Sequence, residues 1–102
     1  MRMKNIAVLT SGGDAPGMNA CIRSIVRTAS YKNIEVYGIQ YGYQGLIENN
    51  LKIITNKDVG NTIHIGGTIL KTARSDEFRS KKGRDKAYQN LKKNNIDGLI
   101  IL

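Results

Sequence analysis

With one cysteine in 102 residues, Cys21, the chain has no internal disulfide and lacks the thiolates of a metal cluster. Its one histidine, His64, has no triad-like or metal-ligand spacing around it, so a structural role is expected. Tryptophan is absent and phenylalanine occurs once, which with five tyrosines brings the aromatics to 6%. Long apolar runs are missing too: no segment approaches the roughly 18 residues of a membrane span. The opening Met1-Arg2-Met3-Lys4 is basic, yet the apolar run behind it is too short for a secretory signal. A cytoplasmic chain with no membrane partner is expected. Acidic residues are also few, 8 against 16 Lys and Arg, for a net charge of +8. Such an excess invites a nucleic-acid reading. Against it, the lysines are scattered over Lys52, Lys57, Lys71, Lys81, Lys82, Lys86, Lys92 and Lys93, and no aromatics interleave with them to stack bases. No nucleic-acid partner is expected.

The length allows one domain with an adequate but modest core. Residues 5–10 form a continuous apolar run between turn residues, the pattern of a strand buried on both faces. From Met18 the apolar residues return as Cys21, Ile22, Ile25, Val26 and Ala29, one face of a helix ending near Tyr31. That face makes Cys21 a buried, inert thiol. Arg23 and Arg27 lie four apart on the opposite face. Residues 35–41 read as a second strand, so the opening is a βαβ unit with a right-handed crossover and a parallel sheet.

Further on, Gly42 and Gly45 suggest a turn, residues 51–54 a short edge strand, and residues 58–61 a polar turn. Gly66-Gly67 marks a second tight bend. A helix over about 80–94 buries Ala87, Tyr88 and Leu91; Gly83 weakens its first turn, and Asn94-Asn95 ends it through a left-handed residue. Residues 98–102 read as another buried parallel strand. No repeats or low-complexity segments interrupt the chain.

The segment Thr10-Ser11-Gly12-Gly13-Asp14-Ala15-Pro16-Gly17-Met18-Asn19-Ala20 joins the first strand to the first helix. Its paired glycines remove the Cβ atoms that would hold a ligand off the backbone. Pro16 suits a helix's first turn, and the helix start offers unpaired N–H groups and partial positive charge. The segment therefore reads as a phosphate cradle, while a plain tight connection shares the same geometry. It matches neither G-x-x-x-x-G-K-[ST] nor G-x-G-x-x-G.

This run closely resembles the opening of the ATP-dependent 6-phosphofructokinases. A second block, Gly66-Gly67-Thr68-Ile69-Leu70-Lys71-Thr72-Ala73-Arg74, matches that family's next signature. The match continues through Glu35-Val36-Tyr37-Gly38, Gly42-Tyr43-Gln44-Gly45-Leu46 and Ile96-Asp97-Gly98-Leu99, in one register. The resemblance implies an α/β fold of three layers, an open, mostly parallel sheet with helices on both faces. It also implies phosphoryl transfer from MgATP to the 1-hydroxyl of fructose 6-phosphate.

Residue roles follow from the same resemblance. Gly13 binds ATP through its backbone, and Arg74 stabilises the transferring phosphoryl group, as a guanidinium holding two oxygens can. Alone, Arg74 reads more readily as a surface ion pair with Asp76 or Glu77. Ser75 matches a nucleotide-contacting position and Tyr43 an aromatic one near the adenine, although a tyrosine between glycines also serves as a loop anchor. Arg23 and Arg27, by themselves a solvated helix face, match a pair that binds the phosphates of an allosteric nucleotide, ADP. Ser24, Ile25 and Val26 lie between them, and Asn56, Lys57, Asp58, Val59, Gly60 and Asn61 match the facing side. Here the sequence departs from the family: Asn61 replaces a common aspartate, Asn56 an arginine of some relatives, and Ile65 a usual arginine.

The family's Gly-Gly-Asp-Gly loop, which holds the Mg2+-nucleotide, and its Thr-Ile-Asp general base are not in this sequence. The expectation is an N-terminal part of an ATP-binding domain, with Mg2+ ligands beyond Leu102, inactive alone and homotetrameric in the parent enzyme. Two rivals remain: a pyrophosphate-dependent phosphofructokinase, and a non-catalytic nucleotide-binding module. Continuation of the reading frame past Leu102 into Gly-Gly-Asp-Gly discriminates against the second.

Overall fold

Alternation along the first strand decides the layering. In β1 (Asn5–Leu9), Ile6 and Val8 join one hydrophobic cluster while Ala7 and Leu9 join another, so both faces of the strand are covered. The computed structural model describes residues 4–11, 17–60, 69–73 and 75–102. Helix α1 (Met18–Tyr31) lays Ile22, Val26 and Ala29 on the first face. Strand β2 (Glu35–Ile39) adds Val36 to that cluster and Ile39 to the other. Helix α2 (Gly42–Ile47) covers the second face with Leu46 and Ile47. Strand β3 (Leu51–Ile54) and helix α3 (Asn56–Val59) return Ile54 and Val59 to the first cluster, where Leu70 also packs. A 3-10 turn (Glu77–Arg79) leads into α4 (Lys81–Lys93), which buries Ala87 on the second face. With strand β4 (Gly98–Ile101), the described strands form a sheet of order β3-β2-β1-β4.

The result is three layers, with α1 and α3 on one side and α2 and α4 on the other. β1 pairs in parallel with β2, Ile6 opposite Val36, and with β4, Ile6 opposite Gly98. β3 pairs antiparallel with β2, Val36 opposite Ile54. The expected α/β architecture and mostly parallel sheet are therefore present, with β3 the exception at one edge.

Several local expectations need correction. Cys21 is exposed. The buried arc of α1 is centred on Ile22, Val26 and Ala29, and Cys21 lies about 100° from Ile22 around the helix. Tyr88 is 58% exposed because the buried line of α4 runs through Gly83 and Ala87. Gly42 and Gly45 belong to a helix, not a turn: burial of Leu46 and Ile47 supplies what two poor helix formers withhold. The polar stretch at 58–61 overlaps α3, which begins with a reciprocal cap. Asp58 Oδ2 accepts from the Thr55 N–H at 2.8 Å and the Thr55 hydroxyl at 3.1 Å. β4 is parallel as expected and half-buried, with Ile101 48% exposed, and among the described residues it pairs with β1.

Candidate active site

β1 leads through α1 to β2 on one side, while β4 lies against its other side. The strand order thus reverses beside β1, and the crevice outside the carboxyl ends of β1 and β4 is where open α/β sheets take ligands. Pairing continues to that rim: Leu102 N–H donates to Leu9 O, and Ser11 N–H to Leu102 O, both at 3.0 Å.

Both sequence signatures arrive here. Of the first, residues 12–16, Gly13 among them, lie outside the described residues. Its flanks are placed: Thr10 is fully buried, and Gly17 precedes α1 with φ 92°, a left-handed conformation suited to glycine. Of the second, residues 66–68 and Arg74 lie outside the described residues. Its central part is tied to the first by two side chains. Asn19 Oδ1, in the first turn of α1, accepts from Ile69 N–H at 2.7 Å. Thr10 Oγ1 donates to Lys71 O at 3.1 Å.

A third tie comes from the β2–α2 join, where Tyr41 N–H donates to Leu70 O at 2.9 Å. Gly42 follows with φ 59°, and a Cβ there would stand 3.1 Å from the Thr10 carbonyl, so the join can approach β1 closely only with glycine. Thr10 and Asn19 are almost fully buried polar groups, and these bonds engage the Thr10 hydroxyl and Asn19 Oδ1. Lys71, held at φ 63°, is a left-handed non-glycine residue three positions before Arg74.

On the second face, the structure brings Tyr43 and Ser75 into one cluster. The Tyr43 and Phe78 rings stack with centroids 4.1 Å apart and planes 20° apart. Ser75 Oγ donates to Gln44 Oε1 at 2.7 Å and accepts from Phe78 N–H at 3.2 Å. Gln44 Nε2 donates to Glu48 Oε2 at 3.1 Å and to Glu77 Oε1 at 3.5 Å. Lys86 pairs with Glu77 Oε2 at 3.1 Å, and this lysine, then Gln44, holds the Glu77 carboxyl below the usual carboxylate range. Phe78 and Gln44 were not singled out by the sequence reading. Phe78 carried one usable signal, being the only phenylalanine in the chain and three residues past Ser75.

The residues matched to an effector site fall on the opposite face. α1 and α3 pack together: Asn56 Nδ2 donates to Ser30 Oγ at 3.1 Å, and Val26 and Val59 share the first cluster. Their side chains are core. Ser24 and Arg27 are exposed and Ile25 is half-buried. Arg23 is half-buried too, and its enclosed Nε has no hydrogen-bond partner among the described residues. Lys57 is exposed, and Gly60 caps α3. Asp58 is engaged in the cap, whose backbone and hydroxyl bonds from Thr55 lower its pKa. Asn61 lies outside the described residues.

Among the described residues, no group of three or more His, Cys, Asp or Glu side chains could hold a metal ion. No helix among them is long and apolar enough to cross a membrane.

Comparison with known proteins accords with this geometry. The chain is 59% identical over 100 residues to a protein of Cytophaga hutchinsonii named ATP-dependent 6-phosphofructokinase, covering 98% of this chain and 30% of that protein. A protein of the same name from Oceanobacillus iheyensis is 56% identical over 100 residues, with 98% and 31% covered. The chain thus spans about three-tenths of the length of these curated relatives. Among solved structures, phosphofructokinase from Saccharomyces cerevisiae superposes with a TM-score of 0.92 at 45% identity, over 96% of this chain and 13% of that one. The profile of the family described as phosphofructokinase matches residues 5–102, and the chain belongs to that family.

Proposed function

We propose that this chain forms part of the ATP-binding domain of an ATP-dependent 6-phosphofructokinase. The whole protein would transfer the γ-phosphoryl group of ATP, carried with Mg2+, to the 1-hydroxyl of fructose 6-phosphate, giving fructose 1,6-bisphosphate in glycolysis. The observation that carries this reading is the junction of the two signature blocks at the carboxyl end of β1, made by Thr10–Lys71 and Asn19–Ile69. Phosphoryl transfer asks little covalent chemistry of a protein; it asks for positioning and for charge around the moving group. The junction supplies positioning. It ties Thr10 and Asn19, on either side of the glycine pair in sequence, to residues 69–71, which precede Arg74.

In this reading Gly13 offers its backbone N–H to the terminal phosphates, and Arg74 stabilises the charge that develops during transfer. Tyr43 and Ser75 contribute to the nucleotide subsite. Mg2+ would neutralise phosphate charge, held by residues other than those described. ADP is the proposed effector at the α1–α3 face, where exposed Arg27 is available to an anion. The parent enzyme is proposed to be a cytoplasmic homotetramer.

The test is a coupled assay on the full-length protein carrying this sequence. ATP consumption should depend on fructose 6-phosphate, and Arg74→Ala should lower kcat by about 100-fold or more. Turnover with pyrophosphate but not ATP would move the protein to the pyrophosphate-dependent enzymes. A change confined to KM would reduce Arg74 to a binding group.

A further inference from the structure

We infer that Gln44 is a positioning residue for the nucleotide: it clamps the segment that begins at Ser75 against α2 and so fixes the Tyr43–Phe78 stack. The inference rests on the proposed function for its ligand and on the geometry of one side chain for the rest. Gln44 lies next to Tyr43 in α2, while Ser75 precedes the 3-10 turn and Phe78 lies within it, so the stack and its polar bond join two separate chain segments, Ser75 lying 31 residues from Gln44. Rings alone tolerate a range of offset arrangements. The polar bonds beside them select one.

The chemistry of the cluster calls for glutamine in particular. Ser75 Oγ already accepts from Phe78 N–H, so its own hydrogen needs an acceptor, and Gln44 Oε1 supplies it at 2.7 Å. Glu48 and Glu77 are acceptors only, and the two hydrogens of Gln44 Nε2 serve one each. Lys86 is the cation on the far side of Glu77, and Lys82 also acts on that carboxylate. A glutamate at 44 would gather three carboxylates. A leucine would leave the part-buried Ser75 hydroxyl without its acceptor, at the cost of an unmade hydrogen bond. The amide of Gln44 both accepts from the serine and donates to the two acids.

Positioning an aromatic subsite contributes to the ground state and the transition state alike, so it belongs in KM and not in kcat. In the full-length protein, Gln44→Leu should raise KM for ATP about fivefold, the size of one lost hydrogen bond. KM for fructose 6-phosphate and kcat should stay within about twofold, since uniform binding leaves the chemical step untouched. Ser75→Ala, which also removes a residue of the proposed nucleotide subsite, should raise KM for ATP at least as much, and the double variant should be no worse than Ser75→Ala alone, because Gln44 acts through that serine. Without nucleotide, hydrogen–deuterium exchange over residues 75–79 should quicken in Gln44→Leu, at the Phe78 amide first. Gln44→Glu, which keeps the size and the acceptor, guards against simple misfolding of the leucine variant and should also raise KM for ATP at neutral pH. Equal losses in kcat and both KM values would overturn the proposal in favour of a general structural role. Normal turnover with unchanged KM and unchanged exchange would overturn the clamp while leaving the proposed function intact. No ATP-dependent turnover in the wild type, with faster exchange in Gln44→Leu, would defeat the proposed function and with it the nucleotide role, leaving a structural clamp.

Discussion

Asp97 illustrates how one exposed carboxylate can organise a sheet entry. Its Oδ2 accepts from the N–H groups of Lys4 at 2.9 Å and Asn5 at 3.1 Å, joining the start of β1 to the approach to β4. Those two backbone bonds, the Lys4 bond first, lower its pKa from the ordinary 3.8. A depressed carboxylate contributes stability at all pH values above its unfolded pKa, and that contribution fades as pH falls through the folded value. Asp97→Asn should therefore lower the Tm of the chain at neutral pH. The gap to wild type should narrow as pH is taken below 3.8. Thermal melts at a series of pH values check this, and a gap that stays constant into acid would show that charge is not what matters there. Charge at Arg27 is a separate case, because its exposed position suits an effector's phosphates. In the full-length protein, Arg27→Ala should weaken ADP activation and leave saturated turnover nearly intact. With coupling energies of about 1–3 kcal/mol, that means a several-fold shift in half-saturation for fructose 6-phosphate. A fructose 6-phosphate titration with and without ADP reads it, and an unchanged ADP response returns the arginine to a solvated surface role.

Among helices, one device recurs at three ends. Asn33, Asn49 and Asn95 follow the caps of α1, α2 and α4 in left-handed conformations, with φ of 60°, 60° and 57°. In each case the next N–H reaches back to a carbonyl of the last turn: Ile34 to Ala29, Asn50 to Gly45 and Ile96 to Leu91, at 2.8–2.9 Å. Asparagine tolerates this backbone, so the helices stop where the sequence puts it. The beginning of α4 is set differently. Ser80 Oγ accepts from Gly83 N–H at 3.0 Å, and a Cβ on Gly83 would run into the Glu77 carbonyl of the preceding turn. Helix propensity alone says Gly83→Ala stabilises by about 0.8–1 kcal/mol. Overpacking against backbone should reverse the sign, to a loss of about 1–3 kcal/mol. Urea denaturation decides between them; a more stable variant would mean that the 3-10 turn yields easily.

At the scale of the molecule, the strand order reverses beside β1, and Thr10 and Asn19, which flank the glycine pair in sequence, are fixed there by bonds to Lys71 and Ile69. This chain spans about three-tenths of the length of its curated relatives. Phosphoryl transfer needs the nucleophile, its base and the charge clamp in one geometry, and effective concentration is lost when a component is missing. The 102-residue chain by itself should therefore show no fructose 6-phosphate-dependent ATP consumption. A coupled assay on purified chain giving turnover above a mock preparation would contradict this.

What the sequence determined by itself was local and periodic. The apolar run of β1, the three-and-four spacing of Ile22, Val26 and Ala29, and the asparagines at 94 and 95 specified elements because each signal acts within a few residues. The two glycine-bearing blocks were legible as motifs for the same reason. Tertiary structure decided what needs a partner far along the chain. Cys21 lies outside the buried arc because packing of α1 against the sheet, which periodicity does not specify, selects which flank is covered. α2 is a helix because Leu46 and Ile47 find the second face of the sheet. Gln44 and Asp97 acquire their roles from residues 31 and 92 positions away, and no spacing in a linear sequence encodes a hydrogen bond that only the folded sheet brings within reach.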